Sequence, residues 1–263
     1  DLPRERTLPG KKPWQKFLVM FFGAGFNFIS AILVLFFISL VWGATSTEPV
    51  LSSVEKDTPA YEAGLRKGDE ILEINGHDIW TIDDISLYIT IADTDKANEF
   101  KVKKENGSIE TYKIKPEKTK VDGDERYVYG IGMQGEELHG LLASLKYTVV
   151  KTGSLFKQMG VTLLNLFTGG IHLNQLSGPV GSQASGGLAS LLYLFSFLSI
   201  NVGFINLLPL PAFDGGHILF IIIEKIKGSP VKPETEAKFH AVGLFLLMLL
   251  MIYVTFYDIL RLF

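Results

Sequence analysis

Asp214 is the residue with the most chemistry to explain. It ends a run of 56 residues, Gln158–Phe213, that carries no formal charge. A lone carboxylate in such a setting is expensive unless it is paired or coordinated. It follows Asn206-Leu-Leu-Pro209-Leu-Pro211-Ala-Phe and precedes Gly215, Gly216 and His217. Pro209 and Pro211 deny this stretch regular helical hydrogen bonding and free backbone carbonyls. Irregular backbone at membrane depth is tolerated only where it lines a cavity or is buried in protein. Asn206 adds an amide to the same segment, and Gly215 and Gly216 let the backbone approach a neighbour closely. The pattern reads as a metal ligand, Asp214, held at an opening in a membrane-embedded helix. The competing reading is a carboxylate at the mouth of a span, solvated or paired to Lys225 or Lys227.

The remaining ligands are not evident. The histidines are His77, His139, His172, His217 and His240, and no two stand four apart. His217 would share a helix face with Asp214, but a catalytic metal normally takes three protein ligands. His217 therefore reads as an outer or interfacial residue, and His172, in an uncharged turn, is a weaker candidate. Cysteine is absent, which excludes a disulfide framework and a thiolate site in these residues.

The elements that must position this stretch are apolar and long. Phe17–Trp42 is free of charge over 26 residues, about 39 Å of helix, enough to cross a bilayer with some tilt. Within it lies Gly23-Ala-Gly25-Phe-Asn27; the glycines would admit a neighbouring helix. Asn27 either bonds across helices or contacts a substrate backbone. Leu188–Leu208 and Ala241–Tyr257 read as two further spans, the last with Tyr253, Phe256 and Tyr257 as interface aromatics. Residues 1–16 carry five basic against two acidic side chains, with Trp14 and Lys16 suited to an interface. No signal peptide is visible.

Residues 44–140 differ completely, with twelve basic and twenty-one acidic side chains. The contrast with the basic N-terminus points to two compartments and not to a nucleic-acid surface. Val50–Val54 reads as a strand, Pro59 starts a short helix that Gly64 ends, and Ile71, Leu72 and Ile74 form a strand before an Asn75-Gly76 turn. Thr81-x-x-Asp84 caps a second helix to Ala92. Phe100–Lys104 and Ile109–Lys115 form a hairpin across Asn106-Gly107. Pro59-Ala60, Ala63-Gly64-Leu65, Gly68-Asp69 and Ile74-Asn75-Gly76 resemble a PDZ domain of bacterial type. That resemblance implies an edge groove for an extended peptide; a module that only blocks access is the alternative.

The expected organisation is a multi-span α-helical membrane protein with an inserted soluble α+β PDZ domain. Residues 1–16 form a cytoplasmic basic loop and 17–43 a transmembrane helix. The PDZ-like domain spans 44–118, and 119–187 is a linker followed by an amphipathic, interfacial helix. Residues 188–223 form a transmembrane segment with the unwound stretch, 224–240 a cytoplasmic loop, and 241–263 a C-terminal transmembrane helix. For residues 138–167, with Lys146, Lys151 and Lys157 among apolar positions, a helix at the membrane surface competes with one packed on the PDZ module.

Asn206-x-x-Pro209-x-Pro211-x-Phe-Asp214-Gly215, Gly23-x-x-x-Asn27, a single PDZ module and Leu176-Ser-Gly-Pro-Val-Gly181, in this order, resemble the site-2 protease family of intramembrane zinc metalloproteases. Phe213 stands where the family has leucine and Ala24 where it has proline. The resemblance implies Zn2+, with Asp214 as its third ligand, Asn206, Pro209, Pro211 and Asn27 along the substrate path, and Gly215 and Gly216 in support. It implies a multi-pass protein of the bacterial cell membrane with the PDZ-like domain outside. The implied partners are the lipid bilayer and single-span membrane proteins or peptides, such as anti-sigma factors, signal-peptide remnants or pheromone precursors, and no nucleic acid. The family's His-Glu-x-x-His, which supplies two ligands and the base, would precede residue 17. Its absence implies that this chain alone is inactive. A non-catalytic membrane-anchored PDZ scaffold or pseudoprotease is the alternative.

Overall fold

The computed structural model describes residues 10–121, 124–168, 187–229 and 231–261. The Leu176–Gly181 turn, His172 and residues 1–9 lie outside them, as do the side chains of Tyr253 and Tyr257. The chain divides into two compact units, Asp1–Ala31 with Phe195–Phe263, and Ile32–Leu194. Helix α1, Pro13–Trp42, runs through the first boundary.

The unit Ile32–Leu194 contains the soluble module. Its elements are β1 (Ala44–Thr45), β2 (Ser53–Val54), α2 (Pro59–Ala63), β3 (Glu70–Ile74), β4 (His77–Asp78), α3 (Ile82–Thr90), β5 (Asn98–Lys103) and β6 (Ile109–Ile114). The main sheet has the order β4-β3-β5-β6, and every pairing is antiparallel. Local chemistry explains the breaks. Pro59 opens α2, and Gly64, at φ 110°, closes it in the left-handed region. Asn75 and Gly76, at φ 50° and 78°, make the tight β3–β4 turn. Thr81 and Asp84 form a reciprocal capping box on α3. Leu51, Leu65, Ile71, Ile74, Ile85, Phe100 and Val102 are among the buried residues of one core.

Residues 119–137, expected as a polar linker, fold instead. β7 (Glu117–Val121) pairs with β8 (Asp124–Val128). Then β9 (Ile131–Gly132) pairs with β2, and β10 (Glu137–Leu138) pairs with β1. Between them Tyr129 enters the core, edge-on to Phe100 at 5.2 Å, its hydroxyl accepting from Asn98 Nδ2 at 2.8 Å. Burial pushes the Tyr129 hydroxyl up to about 12. The module therefore extends to Leu138, because its first strands, β1 and β2, find their partners only at Glu137–Leu138 and Ile131–Gly132.

Helix α4, Leu141–Thr168, packs on α3. Lys151 pairs with Asp83 at 2.5 Å. Lys157 reaches Asp84 at 3.0 Å and lies 4.4 Å from the Trp80 ring centroid. Thr81 and Ser154 share a hydroxyl hydrogen bond of 3.0 Å. Of the two readings of this helix, the structure supports packing on the module. Two of its lysines face the acidic start of α3, where the helix dipole already favours carboxylates.

Asp69 is 2% exposed and accepts from Lys104 Nζ at 2.6 Å and from the Arg66 N–H at 2.7 Å. Its replacement by alanine would leave a mostly buried ammonium without its counter-charge, with the Gly64 carbonyl at 3.0 Å still accepting from it. Asp69→Ala is expected to lower the opening free energy of the β5–β6 amides by about 3 kcal/mol, the low end for a broken buried pair because Lys104 keeps some solvent. Native-state hydrogen exchange of the whole chain measures it.

The unit Asp1–Ala31 with Phe195–Phe263 contains the first part of α1, the end of α5 (Gly187–Leu207), α6 (Asp214–Lys227) and α7 (Pro233–Arg261). Helices α1 and α5 are long and apolar enough to cross a membrane. Phe22, Phe26 and Leu33 on α1 are well exposed, a surface suited to hydrocarbon. Ala241–Tyr257, expected as a third span, lies within α7.

Candidate metal centre

Asp214 is the first residue of α6, directly after the unwound segment 208–213. The two prolines end α5 as expected. A carboxylate in the first turn of a helix meets the positive end of its dipole. Asp214 has no hydrogen bond or ion pair with a protein group among the described residues, Lys225 and Lys227 included. Its nearest feature on α1 is Gly23, where an added Cβ would lie 3.1 Å from Asp214 Oδ2. Gly23 was expected to admit another helix. It admits the first residue of α6 through this carboxylate, and α5 approaches one residue on. There an added Cβ at buried Gly203 of α5 would meet the Phe28 ring at 2.8 Å and the Ala24 carbonyl at 3.1 Å.

Three glycines fix the unwound segment against its neighbours. A Cβ at Gly215 would fall 2.1 Å from the Leu208 carbonyl and 2.5 Å from that of Leu207. At Gly216 it would meet the Leu210 carbonyl at 2.5 Å and His240 Cε1 at 3.0 Å. On α7, a Cβ at Gly243 would fall 2.1 Å from Pro211 Cβ. No Cβ fits at such distances. The segment is thus wedged between the first turn of α6 and one face of α7. Ala212 within it has φ 73°, a left-handed conformation that is unfavourable by about 1–2 kcal/mol for a residue with a Cβ.

Asn27 lies one helical turn after Gly23 and is half-buried; Asn206, in the last turn of α5, is half-buried as well. Neither side-chain amide has a hydrogen-bond partner among the described residues. The interhelical bond considered for Asn27 is therefore not formed among them. Pro209 is exposed and Pro211 half-buried.

The sequence reading missed Glu236 and His240. His217 Nδ1 donates to Glu236 Oε1 at 2.7 Å, and its ring stacks on that of His240, centroids 3.9 Å apart and planes 17° from parallel. His240 Nδ1 accepts from the Ala212 N–H at 3.0 Å. Ligand atoms of the three residues lie within 4.8 Å of one another. The near-parallel stack sets the imidazole lone pairs side by side, not converging, so the trio is a poor cage as it stands. The available signal was Glu236-x-x-x-His240, an i,i+4 pair on one helix face. As a metal site, the donors around Asp214 fit one corner: a single carboxylate, unpaired among the described residues, that fits against α1 only because residue 23 is glycine.

The model of peptidase family M50 matches residues 3–250 of the chain. The "Regulator of sigma-W protease RasP" of Bacillus subtilis strain 168 is 36% identical over 267 residues, which cover 99% of this chain and 63% of that protein. The "Zinc metalloprotease RasP" of Bacillus licheniformis is 37% identical over 270 residues, with the same coverage. The chain thus spans somewhat under two thirds of the length of these relatives. A solved PDZ domain of an SdrC-like protein from Listeria innocua is 28% identical, with coverage of 35% of this chain and 99% of that one and a TM-score of 0.28. With 248 of its 263 residues inside the family match, this chain belongs to peptidase family M50.

Proposed function

We propose that the protein containing this chain is a zinc endopeptidase that cuts single-span membrane proteins within or near the bilayer. The observation that carries the reading is Asp214, a carboxylate without a protein partner among the described residues, fixed at a helix N-terminus where Gly23 admits it. When bound, zinc supplies Lewis acidity that makes water a nucleophile near neutral pH. Asp214 supplies one oxygen ligand, and two histidines and a glutamate base come from a His-Glu-x-x-His segment outside residues 1–263. This chain alone is then inactive. In the segment 208–213 the N–H groups of Leu208, Leu210 and Ala212 already donate within the chain, so it is chiefly carbonyls outside any helix that offer hydrogen bonds to an extended substrate. Asn206 and Asn27, whose amides have no partner among the described residues, line its path. The substrates are those the family resemblance implies: anti-sigma factors, signal-peptide remnants or pheromone precursors.

The test uses the full-length protein in liposomes with a single-span reporter. Cleavage should stop on chelation and return with zinc. Cleavage that persists at full rate in the chelated protein would refute the reading, and a protein without zinc or cleavage would favour the non-catalytic scaffold.

We further propose three spans in the bacterial cell membrane, with the basic N-terminus and residues 224–240 inside and the PDZ-like module outside. Cysteine is absent from these residues, so single substitutions report topology once any cysteine outside them has been replaced. In intact cells, Asn106→Cys should react with a membrane-impermeant maleimide and Lys227→Cys should not. The reverse pattern would invert the topology.

A further inference from the structure

We infer that His240 is a positioning residue for the metal centre: its Nδ1 holds Ala212 in the left-handed conformation and so aims Asp214. The inference rests on the reading of Asp214 as a ligand. Ala212 lies two residues before Asp214, and its φ of 73° needs support. That support is the Ala212 N–H donating to His240 Nδ1 at 3.0 Å. The same ring stands against the first turn of α6, since a Cβ at Gly216 would meet His240 Cε1 at 3.0 Å. One imidazole therefore touches the segment before Asp214 and the turn after it.

The ring is itself held. His217 stacks on its face, and Glu236 fixes His217 through Nδ1. Phe239 packs against it edge-on, with centroids 5.5 Å apart. His240 Nε2 is buried and meets no acceptor among the described residues. A buried N–H without a partner is unfavourable, so the ring is not placed for that nitrogen. Nδ1, an acceptor here and hence unprotonated, is the atom the geometry uses. A carboxylate aimed through its backbone neighbour behaves like the outer partners of metal ligands, which fix orientation without touching the ion.

Three variants of the full-length protein separate the possibilities, with zinc affinity measured by chelator competition, kcat and KM on the single-span reporter, and thermal stability. His240→Phe keeps the stack and the volume but removes the acceptor. It should weaken zinc binding about 10–100-fold and lower kcat with little change in KM. His240→Asn places an amide oxygen near the position of Nδ1 and should recover most of both. His240→Gln, whose oxygen reaches toward Nε2, should not. A His240→Phe protein with wild-type zinc affinity and kcat overturns the inference, as does a His240→Asn protein no better than His240→Phe. Equal losses of stability in all three, tracking activity, would also overturn it by reducing His240 to packing. Asp214→Ala is the control: if it retains zinc, the ligand reading itself fails. If it loses zinc while His240→Phe does not, only the positioning inference fails.

Discussion

Asp214→Ala in the full-length protein is expected to abolish both stoichiometric zinc and reporter cleavage. Changes in the outer partners of a metal ligand already lower affinity or activity about 10–100-fold, so loss of the ligand itself must exceed that. The described residues offer no replacement, because His217 is engaged with Glu236 and the lone pairs of the His217–His240 stack do not converge. Asp214→Asn is the sharper form. It keeps shape and volume and removes the charge that a cation requires, so it should fail nearly as completely. Asp214→Glu retains charge but moves the carboxylate by a methylene in a space already bounded near Gly23, and it should recover little. In each case the fold should persist. Asp214 has no protein partner to lose among the described residues, and the charged side chain is not part of a packed core. Unfolding of the Asp214→Asn protein would therefore contradict the assignment as clearly as retained cleavage would.

The second large effect is expected at Gly215. Substitution with alanine puts a methyl group 2.1 Å from the Leu208 carbonyl oxygen and 2.5 Å from that of Leu207. Ordinary contact needs more than a further ångström, and both neighbours are backbone, so a side-chain rotation cannot relieve the clash. Either α6 begins elsewhere or the segment 208–213 moves. A displacement of about 1 Å at a catalytic constellation can lower the rate on the order of 100-fold, and Gly215→Ala should lose at least that in kcat. Gly243→Ala, pressed against Pro211 from α7 at 2.1 Å, should act in the same direction from the other side. Gly153→Ala and Gly160→Ala on α4 are the controls. Nothing lies within 4 Å of a Cβ there, and removing glycine from a helix interior is favourable by up to about 1 kcal/mol. Their cleavage rates should match the wild type. If Gly215→Ala does too, the close approach at α6 does not position the site.

How much of this was legible in the sequence depends on the range of the interaction. The break before Asp214, the capping box at Thr81 and the Asn75-Gly76 turn are local, and proline, glycine and capping chemistry announced them. Asp214 stood out less by its position after a long uncharged run, which a solvated carboxylate also fits, than by the neighbouring Pro209, Pro211 and Asn206. What stayed hidden is non-local. The two-residue strands β9 and β10 carry almost no periodicity, and their partners β1 and β2 lie far back in the chain, so residues 119–137 read as a linker. Lys151 and Lys157 look like membrane-surface lysines until α3 brings Asp83 and Asp84 to them. Gly23 signals close approach, but the sequence does not say that a carboxylate fills the space. His240 and Ala212 are 28 positions apart, and only the packing of α7 on the unwound segment joins them. The first-turn glycines of α6 illustrate the same limit, for their type was legible and their neighbours were not.

The most direct test of the central claim is X-ray absorption at the zinc edge of the full-length protein, comparing wild type with Asp214→Cys. Residues 1–263 contribute no cysteine, and the wild-type spectrum serves as the reference. If residue 214 coordinates the metal, the variant should show a new zinc–sulfur distance of about 2.3 Å in place of one oxygen. Zinc bound at full occupancy with an unchanged, sulfur-free shell would contradict the assignment of Asp214.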